Sequence, residues 1–284
     1  MRYVRNKSLV VMKTFLLFMS LTFWVLRIQA QNVVSIPDSN FLKALIAEGI
    51  DLDSDGKIQI EEASKVTKLY FDHRQIKDLT GIEAFTALIE LDCSSNVLSS
   101  LDITKNTALQ HFYCSDNQLT TIDVVNNVGL LHFHCAANQL SKVDISKNKE
   151  MVHIDCHHNK IDSLDLSNNT ALVKLECFEN ALRHLVLLQN PRLEYVWCGS
   201  NPNLKEICIT DAQKLRSDLW RKDNFAIWNS ACATGVEEDF LRTSKTIVRI
   251  VNLHGQEIKE DQLSGGLYLY LYSDGSAKKV MRAD

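Results

Sequence analysis

No Cys-x-x-Cys pair occurs among the eight cysteines of this 284-residue chain, so the usual chelating spacing of a structural zinc site is missing. There is no glycine-rich phosphate loop, no Gly-x-Ser-x-Gly elbow and no His-Glu-x-x-His helix. Charge of one sign is lacking too. The formal net charge is −4 and the isoelectric point about 6.1, which leaves no electrostatic footprint for nucleic acid. Charged residues are interspersed rather than blocked, as on an ordinary solvated face. Beyond residue 30 no run is apolar enough to span a bilayer, so no transmembrane segment is expected in the mature chain. These absences argue against an enzyme.

Apolar length is concentrated at the start. Arg2, Arg5 and Lys7 precede the apolar run 14–26, and Ile28-Gln29-Ala30 closes it. A basic stretch, an apolar core and a small-residue cleavage site make residues 1–30 a secretory signal peptide, with Gln31 as the mature start. Met12-Lys13 is an alternative start that leaves a tidier signal.

What the chain does have is a period. Cys93, Cys114, Cys135, Cys156, Cys177 and Cys198 recur every 21 residues, inside units such as ALIELDCSSNVLSSLDITKNT. The phrase L-x-x-L-x-C-x-x-N-x-L fits a leucine-rich repeat, in which each unit must stack on its neighbours to bury its apolar edge. The fold expected is an α/β solenoid: a right-handed leucine-rich-repeat horseshoe with a parallel sheet on the concave side and mostly turns or 3-10 segments on the convex side. Asn96, Asn117, Asn138, Asn159, Asn180 and Asn201 form a second column, whose amides can satisfy backbone groups at the bend after each strand. The cysteines read as small inward-facing core residues, with thiolate metal binding or disulfides as the alternative. Over about residues 66–212 these units resemble the internalin-like repeats of bacterial surface proteins, a resemblance that implies adhesion or ligand binding.

Before the repeats, residues 51–62 fit a 12-residue EF-hand-like loop. Asp51, Asp53 and Asp55 stand at positions 1, 3 and 5, Gly56 at the sharp turn, the Lys57 carbonyl at position 7 and Glu62 at position 12. Hard oxygen donors at this spacing suit one structural Ca²⁺. Ser39–Ala47 carries Phe41, Leu42, Leu45 and Ile46 at helical spacing, and a short second helix is expected at 61–66. The stretch Ile36–Phe41, this loop and Leu79–Phe85 together resemble the N-terminal cap of exported bacterial leucine-rich-repeat proteins.

At the other end the register lengthens by one residue at Asn201-Pro202-Asn203. Leu215, Leu219, Trp220, Phe225, Ile227 and Trp228 offer apolar surface to close the solenoid. Cys208 and Cys232, outside the ladder, are a candidate disulfide in an oxidising setting; two unrelated thiols are the alternative. From Thr246 short strands with glycine turns indicate a small β-sandwich-like domain or meander. Phrases such as LSGGLYLYLYSDG and KKVMR resemble the C-terminal sorting domain of type IX secretion, over about residues 246–284. That resemblance implies an export machinery as partner and location at the outer surface of a bacterium. The first strand usual in that family is not visible between Glu237 and Ser244, which suggests a shortened domain.

The division expected is therefore a signal peptide (1–30), an EF-hand-like cap (31–65), leucine-rich repeats (66–212), a C-terminal cap (213–235) and a sorting domain (236–284). Strand alternation points a set of side chains to the concave face: His111, Tyr113, His132, His134, His153, Asp155, His157, Phe178, Tyr195 and Trp197. Five of the chain's nine histidines are among them. The function expected is recognition of an extracellular protein or glycan. Two alternatives are capture of Zn²⁺ or haem by the column His111, His132 and His153, and a non-catalytic structural coat. Asp155 and Glu176 adjoin as carboxylates, but on an open wet sheet nothing separates their proton affinities for acid–base work. Cys156 and His157 point to opposite faces and cannot form a nucleophile–base pair.

Overall fold

A single carboxylate ties the first helix to the first repeat. The Asp38 side chain accepts from the backbone N–H of Asn40 (2.7 Å) and Phe41 (3.1 Å), capping helix α1, Ser39–Ala47. Its other oxygen accepts from Lys77 N (2.8 Å) and Asp78 N (3.2 Å), some forty residues on. Burial alone would raise its pKa, but these four N–H groups outweigh that and hold the carboxyl below its ordinary value. The computed structural model describes residues 32–230, 232, 247–252, 256–258, 266–272 and 277–282. The expected signal peptide, residues 1–30, lies outside them. Helix α1 buries Phe41, Ala44 and Leu45, with Phe41 edge-on to Phe71 at 5.3 Å. A second helix, α2 (Ile60–Ala63), is shorter than expected and starts one residue earlier.

The repeats follow as three-residue strands: β1 (Lys68–Tyr70), β2 (Glu90–Asp92), β3 (His111–Tyr113), β4 (His132–His134), β5 (His153–Asp155) and β6 (Lys174–Glu176). Strand β7 (Leu185–Val186) lies in another sheet, and β8 (Tyr195–Trp197) completes the first. The seven strands β1-β2-β3-β4-β5-β6-β8 are all parallel and in register, so equivalent positions of successive units face each other. Each strand buries its middle residue; β2 to β6 and β8 leave their two flanks half-exposed, and β1 leaves Lys68 and Tyr70 exposed. The buried middles (Leu91, Phe112, Phe133, Ile154, Leu175, Val196) and the leucines at the unit starts make one continuous core. Phe112 and Phe133 stack at 5.5 Å within it.

The six ladder cysteines are buried free thiols. Burial pushes their proton affinity up, to about 12 for Cys198, so none offers a thiolate. After each cysteine the chain turns through a left-handed residue: Ser95, Asp116, Ala137, His158, Glu179 and Ser200 all have φ between 50° and 56°. None is glycine, so each turn costs roughly 1–2 kcal/mol of backbone strain. The asparagine that follows offsets it. Asn138 Nδ2 donates to the carbonyls of Cys114, Cys135 and Ala136, while its Oδ1 accepts from Leu119 N. Asn96, Asn117, Asn159, Asn180 and Asn201 repeat this arrangement.

A second asparagine column, on the far side of the coil, is absent from the sequence reading. Asn106, Asn127, Asn148, Asn169 and Asn190 are wholly buried. Each donates to two carbonyls of the preceding coil, as Asn148 does to Val124 O (3.0 Å) and Asn127 O (2.7 Å). Gln213 ends the column by reaching Leu187 O and Asn190 O in the same manner.

The C-terminal cap imitates one more coil. Strand β9 (Glu206–Cys208) pairs with β7 at Leu185↔Ile207, a register that accommodates the extra residue after Asn201. Helix α3 (Asp211–Lys214) carries Gln213. Arg221 pairs with Trp197 as a parallel bridge, and Asp223 accepts from Ser200 N and Asn201 N. Strand β10 (Ile227–Asn229) adds to β9. Trp220 and Ala226 are buried and Trp228 packs partly against the core, but Leu215, Phe225 and Ile227 do not close the end as expected, and the Leu219 side chain lies outside what the structure describes. Leu215, Phe225 and Ile227 are 85%, 55% and 58% exposed, because hydrogen-bonding groups such as Gln213 and Asp223, rather than bulk, cover the last coil. Cys208 and Cys232 are joined in a disulfide. Closing a loop of this size stabilises by roughly 3 kcal/mol in the chain-entropy model. Three antiparallel strands, β11 (Ile247–Asn252), β12 (Gly266–Tyr272) and β13 (Ala277–Arg282), form a meander.

Candidate ligand-binding face

In-register stacking converts a sequence column into a spatial row. His111, His132, His153, Lys174 and Tyr195 stand side by side, and so do Tyr113, His134, Asp155, Glu176 and Trp197. All ten are half-buried. Two clusters divide the face.

The first is imidazole-rich. His111 lies edge-on to His132 (4.9 Å between centroids) and Tyr113 to His134 (4.8 Å). His134 leans across to His153, with Nε2 and Nδ1 3.0 Å apart. His153 Nε2 meets Glu176 Oε2 at 3.0 Å, and Lys174 Nζ holds the same carboxylate at 2.8 Å. Burial lowers the His134 pKa to about 4, reinforced by the neighbouring His153. Burial also lowers His132 and His153, in the latter against the opposing pull of Glu176. Burial would raise Glu176, but Lys174 and His153 together bring it below its ordinary value. At neutral pH these three rings are therefore uncharged.

The sequence column His111, His132, His153 is not the tightest grouping. The donor atoms of His132, His134 and His153 all lie within 4.8 Å of one another, and among the described residues His111 is outside that set. Ring tilt, invisible in sequence, brings in the residue two along the same strand instead of the neighbour one strand away.

The second cluster is a stack. His157 lies flat on Phe178 (4.2 Å, 9° between planes), Phe178 on Trp197 (3.9 Å, 16°), and the Arg221 guanidinium caps Trp197 at 5.2 Å. A Cβ at Gly199 would sit 3.7 Å from Trp197 Nε1, an ordinary contact. Asp155 Oδ1 fixes His157 Nδ1 at 2.6 Å, and Lys174 Nζ lies 5.3 Å above the Tyr195 ring. Asp155 and Glu176 are thus each engaged by an imidazole rather than paired with one another.

In the cap loop the carboxylates of Asp51, Asp53 and Asp55 gather within 4.8 Å. Backbone N–H groups organise them: Gly56 N reaches Asp51 Oδ2 (2.9 Å) and Lys57 N reaches Asp55 Oδ1 (2.8 Å). Gly56 has φ +78°, as a sharp turn at that position needs. Glu62 is placed differently from the expectation. Its two oxygens accept from Leu52 N (2.8 Å) and Gln59 N (2.9 Å), closing the loop outside the aspartate group.

No protein-family profile matches the chain. Internalin J of Listeria monocytogenes is 34% identical over 71 residues, a stretch that is 25% of this chain and only 8% of that protein. Two crystal structures from the same species share the architecture. An internalin, InlF, aligns with a TM-score of 0.50 at 21% identity over 68% of this chain and 71% of its own. Internalin C2 aligns with a TM-score of 0.55 at 18% identity over 68% of this chain and 93% of its own. The fold is thus an internalin-like leucine-rich-repeat solenoid with little helix.

Proposed function

We propose that this chain is an exported, non-catalytic recognition protein of a bacterial surface, and that its ligand is an extracellular protein held on the open face of the seven-stranded sheet. The observation that carries the reading is the His157–Phe178–Trp197 stack. Aromatic anchors dominate protein interfaces, and rings already fixed by their neighbours lose little entropy on binding. The stack also favours a protein over a glycan. Its ring faces cover one another and end under Arg221, so what meets the solvent is edges, charges and polar tips. An internalin-like fold, typical of surface or secreted binding proteins, supports the same reading.

A panel of immobilised matrix proteins and glycans, probed by surface plasmon resonance with the mature chain, tests it. A protein hit that weakens at least tenfold, or about 1.4 kcal/mol, on Phe178→Ala or Trp197→Ala is expected. Hits confined to glycans, or a protein hit indifferent to both substitutions, would overturn it.

Export is the natural companion of this reading: a signal peptide at 1–30 and a C-terminal meander serving as a type IX sorting module. The cap loop is read as a structural calcium site. Three carboxylates converging on one turn, organised by backbone N–H groups, fit a hard cation with oxygen ligands. With an extracellular-type dissociation constant of about 10⁻⁴–10⁻³ M and about 1 mM calcium, binding adds RT ln(1 + [Ca]/Kd), about 0.4–1.4 kcal/mol. Chelation should lower the melting temperature of the native chain but not of an Asp51→Asn/Asp53→Asn variant. Equal melting of the native chain with and without chelator would remove calcium from the cap.

A further inference from the structure

We infer that His132, His134 and His153 form a binding site for one divalent transition-metal ion of the zinc type. Three features point to it. The donors are three imidazoles on two rigid, hydrogen-bonded strands, with no thiolate and no competing lysine among them. This is the N₃ set that zinc takes when a fourth position is left open. Their nitrogens lie within 4.8 Å of one another, and the closest pair is 3.0 Å apart. A tetrahedral ion with bonds of about 2.0–2.1 Å wants nitrogens about 3.3 Å apart, so small side-chain adjustments suffice.

The third feature is Glu176. A ligating histidine usually donates its other N–H to a carboxylate, which fixes the ring and its tautomer. His153 Nε2 stands 3.0 Å from Glu176 Oε2, so that nitrogen carries the proton and Nδ1 presents its lone pair toward His134. In the metal-free protein His134 Nε2–H fills that lone pair. When an ion enters, the His134 proton moves from Nε2 to Nδ1 of the same ring, and both facing nitrogens become donors. No proton is gained or lost by the pair. The same closeness argues against haem, because nitrogens 3.0 Å apart leave no room for a porphyrin plane between them.

The fourth coordination position faces the open side of the sheet, available to water or to a ligand side chain. The inference stands apart from the recognition reading, since metal occupancy is measured without any protein ligand. The test is titration of the untagged mature chain with Zn²⁺ under excess Ca²⁺, followed by calorimetry, and with Co²⁺ followed by its visible spectrum. One ion per chain is expected, with a Co²⁺ band of tetrahedral nitrogen ligation. His132→Ala, His134→Ala and His153→Ala should each weaken it beyond the about 10–100-fold that losing an outer partner costs, and Glu176→Gln within that range. His158→Ala and His184→Ala, remote from the trio, should bind like the parent. Circular dichroism and melting confirm that each variant is folded, and the Co²⁺ band reports ligation in a way that a packing defect would not mimic. Absence of stoichiometric binding overturns the site. So does binding that survives all three alanines, or His111→Ala proving as damaging as His134→Ala.

Discussion

Asn148→Asp, one atom exchanged in a wholly buried side chain, is expected to cost about 1–3 kcal/mol in lost hydrogen bonds alone, with a charge penalty added at neutral pH. The amide donates to Val124 O and Asn127 O. Losing both donors costs two hydrogen bonds at about 0.5–1.5 kcal/mol each, since Val124 O keeps Asn127 N and Asn127 O keeps Leu130 N as backbone partners. The cost should also depend on pH. A carboxyl buried beside carbonyl oxygens has its folded-state pKa raised above the unfolded value of about 3.9, and its protonated form can still donate one hydrogen bond. The folded state then binds the extra proton. The variant is least destabilised below about pH 3.9, and loses about 1.4 kcal/mol per pH unit above it until the folded pKa is reached. Asn148→Ala shares the lost donors but cannot titrate, so it is the reference. Urea unfolding of both variants between pH 4 and 7 gives the comparison. Parallel pH profiles would mean that the second column is wetter and more yielding than its burial implies.

The second large effect concerns the seam between cap and repeats. Gly81 has φ +107° and ψ −17°, and opens the 3-10 turn Ile82–Ala84. A Cβ there would lie 2.9 Å from both Ile36 Cγ1 and the Ser35 carbonyl oxygen, and 3.0 Å from Val34 Cγ1. A side chain could rotate away, but a backbone carbonyl cannot without moving its segment. Gly81→Ala therefore combines a disfavoured dihedral, about 1–3 kcal/mol, with an overpacking term of about 1–3 kcal/mol. The strain is local, so the outcome should be local. Hydrogen exchange is expected to rise at residues 34–60, where Val34 N bonds Ile58 O and Ile60 N bonds Asn32 O, while β4 to β6 keep their protection. Unchanged exchange at the cap would show that the seam is looser than the contact distances say.

The repeat was plain in the sequence because a solenoid writes the same demands every 21 residues: a leucine, a cysteine and an asparagine where the coil must be apolar, small and hydrogen-bonding. The second asparagine column was equally periodic, in TKNT, VNNV, SKNK, SNNT and LQNP, yet resembled surface polarity. Only stacking shows those amides turned inward. The left-handed residues were illegible for a different reason. Ser95, Asp116, Ala137, His158, Glu179 and Ser200 share no chemistry, because the conformation is imposed by the neighbouring asparagine and not by local preference. The C-terminal cap misled because apolar composition suggested a plug. Leu215, Phe225 and Ile227 stay exposed, while Gln213 and Asp223 supply what an absent coil would have supplied. On the open face the row of histidines could be counted from sequence. Which three converge depended on ring tilts that no spacing encodes.

The side-chain part of the scaffold has a direction. Asn117, Asn138, Asn159, Asn180 and Asn201 bond the coil before them as well as their own turn, while the amide N–H groups of Asn127, Asn148, Asn169, Asn190 and finally Gln213 reach only backward; none reaches forward. A coil that forms therefore completes its predecessor, and its own carbonyls in turn receive the amides of its successor. For a chain that emerges amino end first, from a ribosome or through a membrane pore, each newly delivered segment finds its docking template already built. Growth can follow delivery, turn upon turn, each coil completed by the next and the last by Gln213 and Asp223.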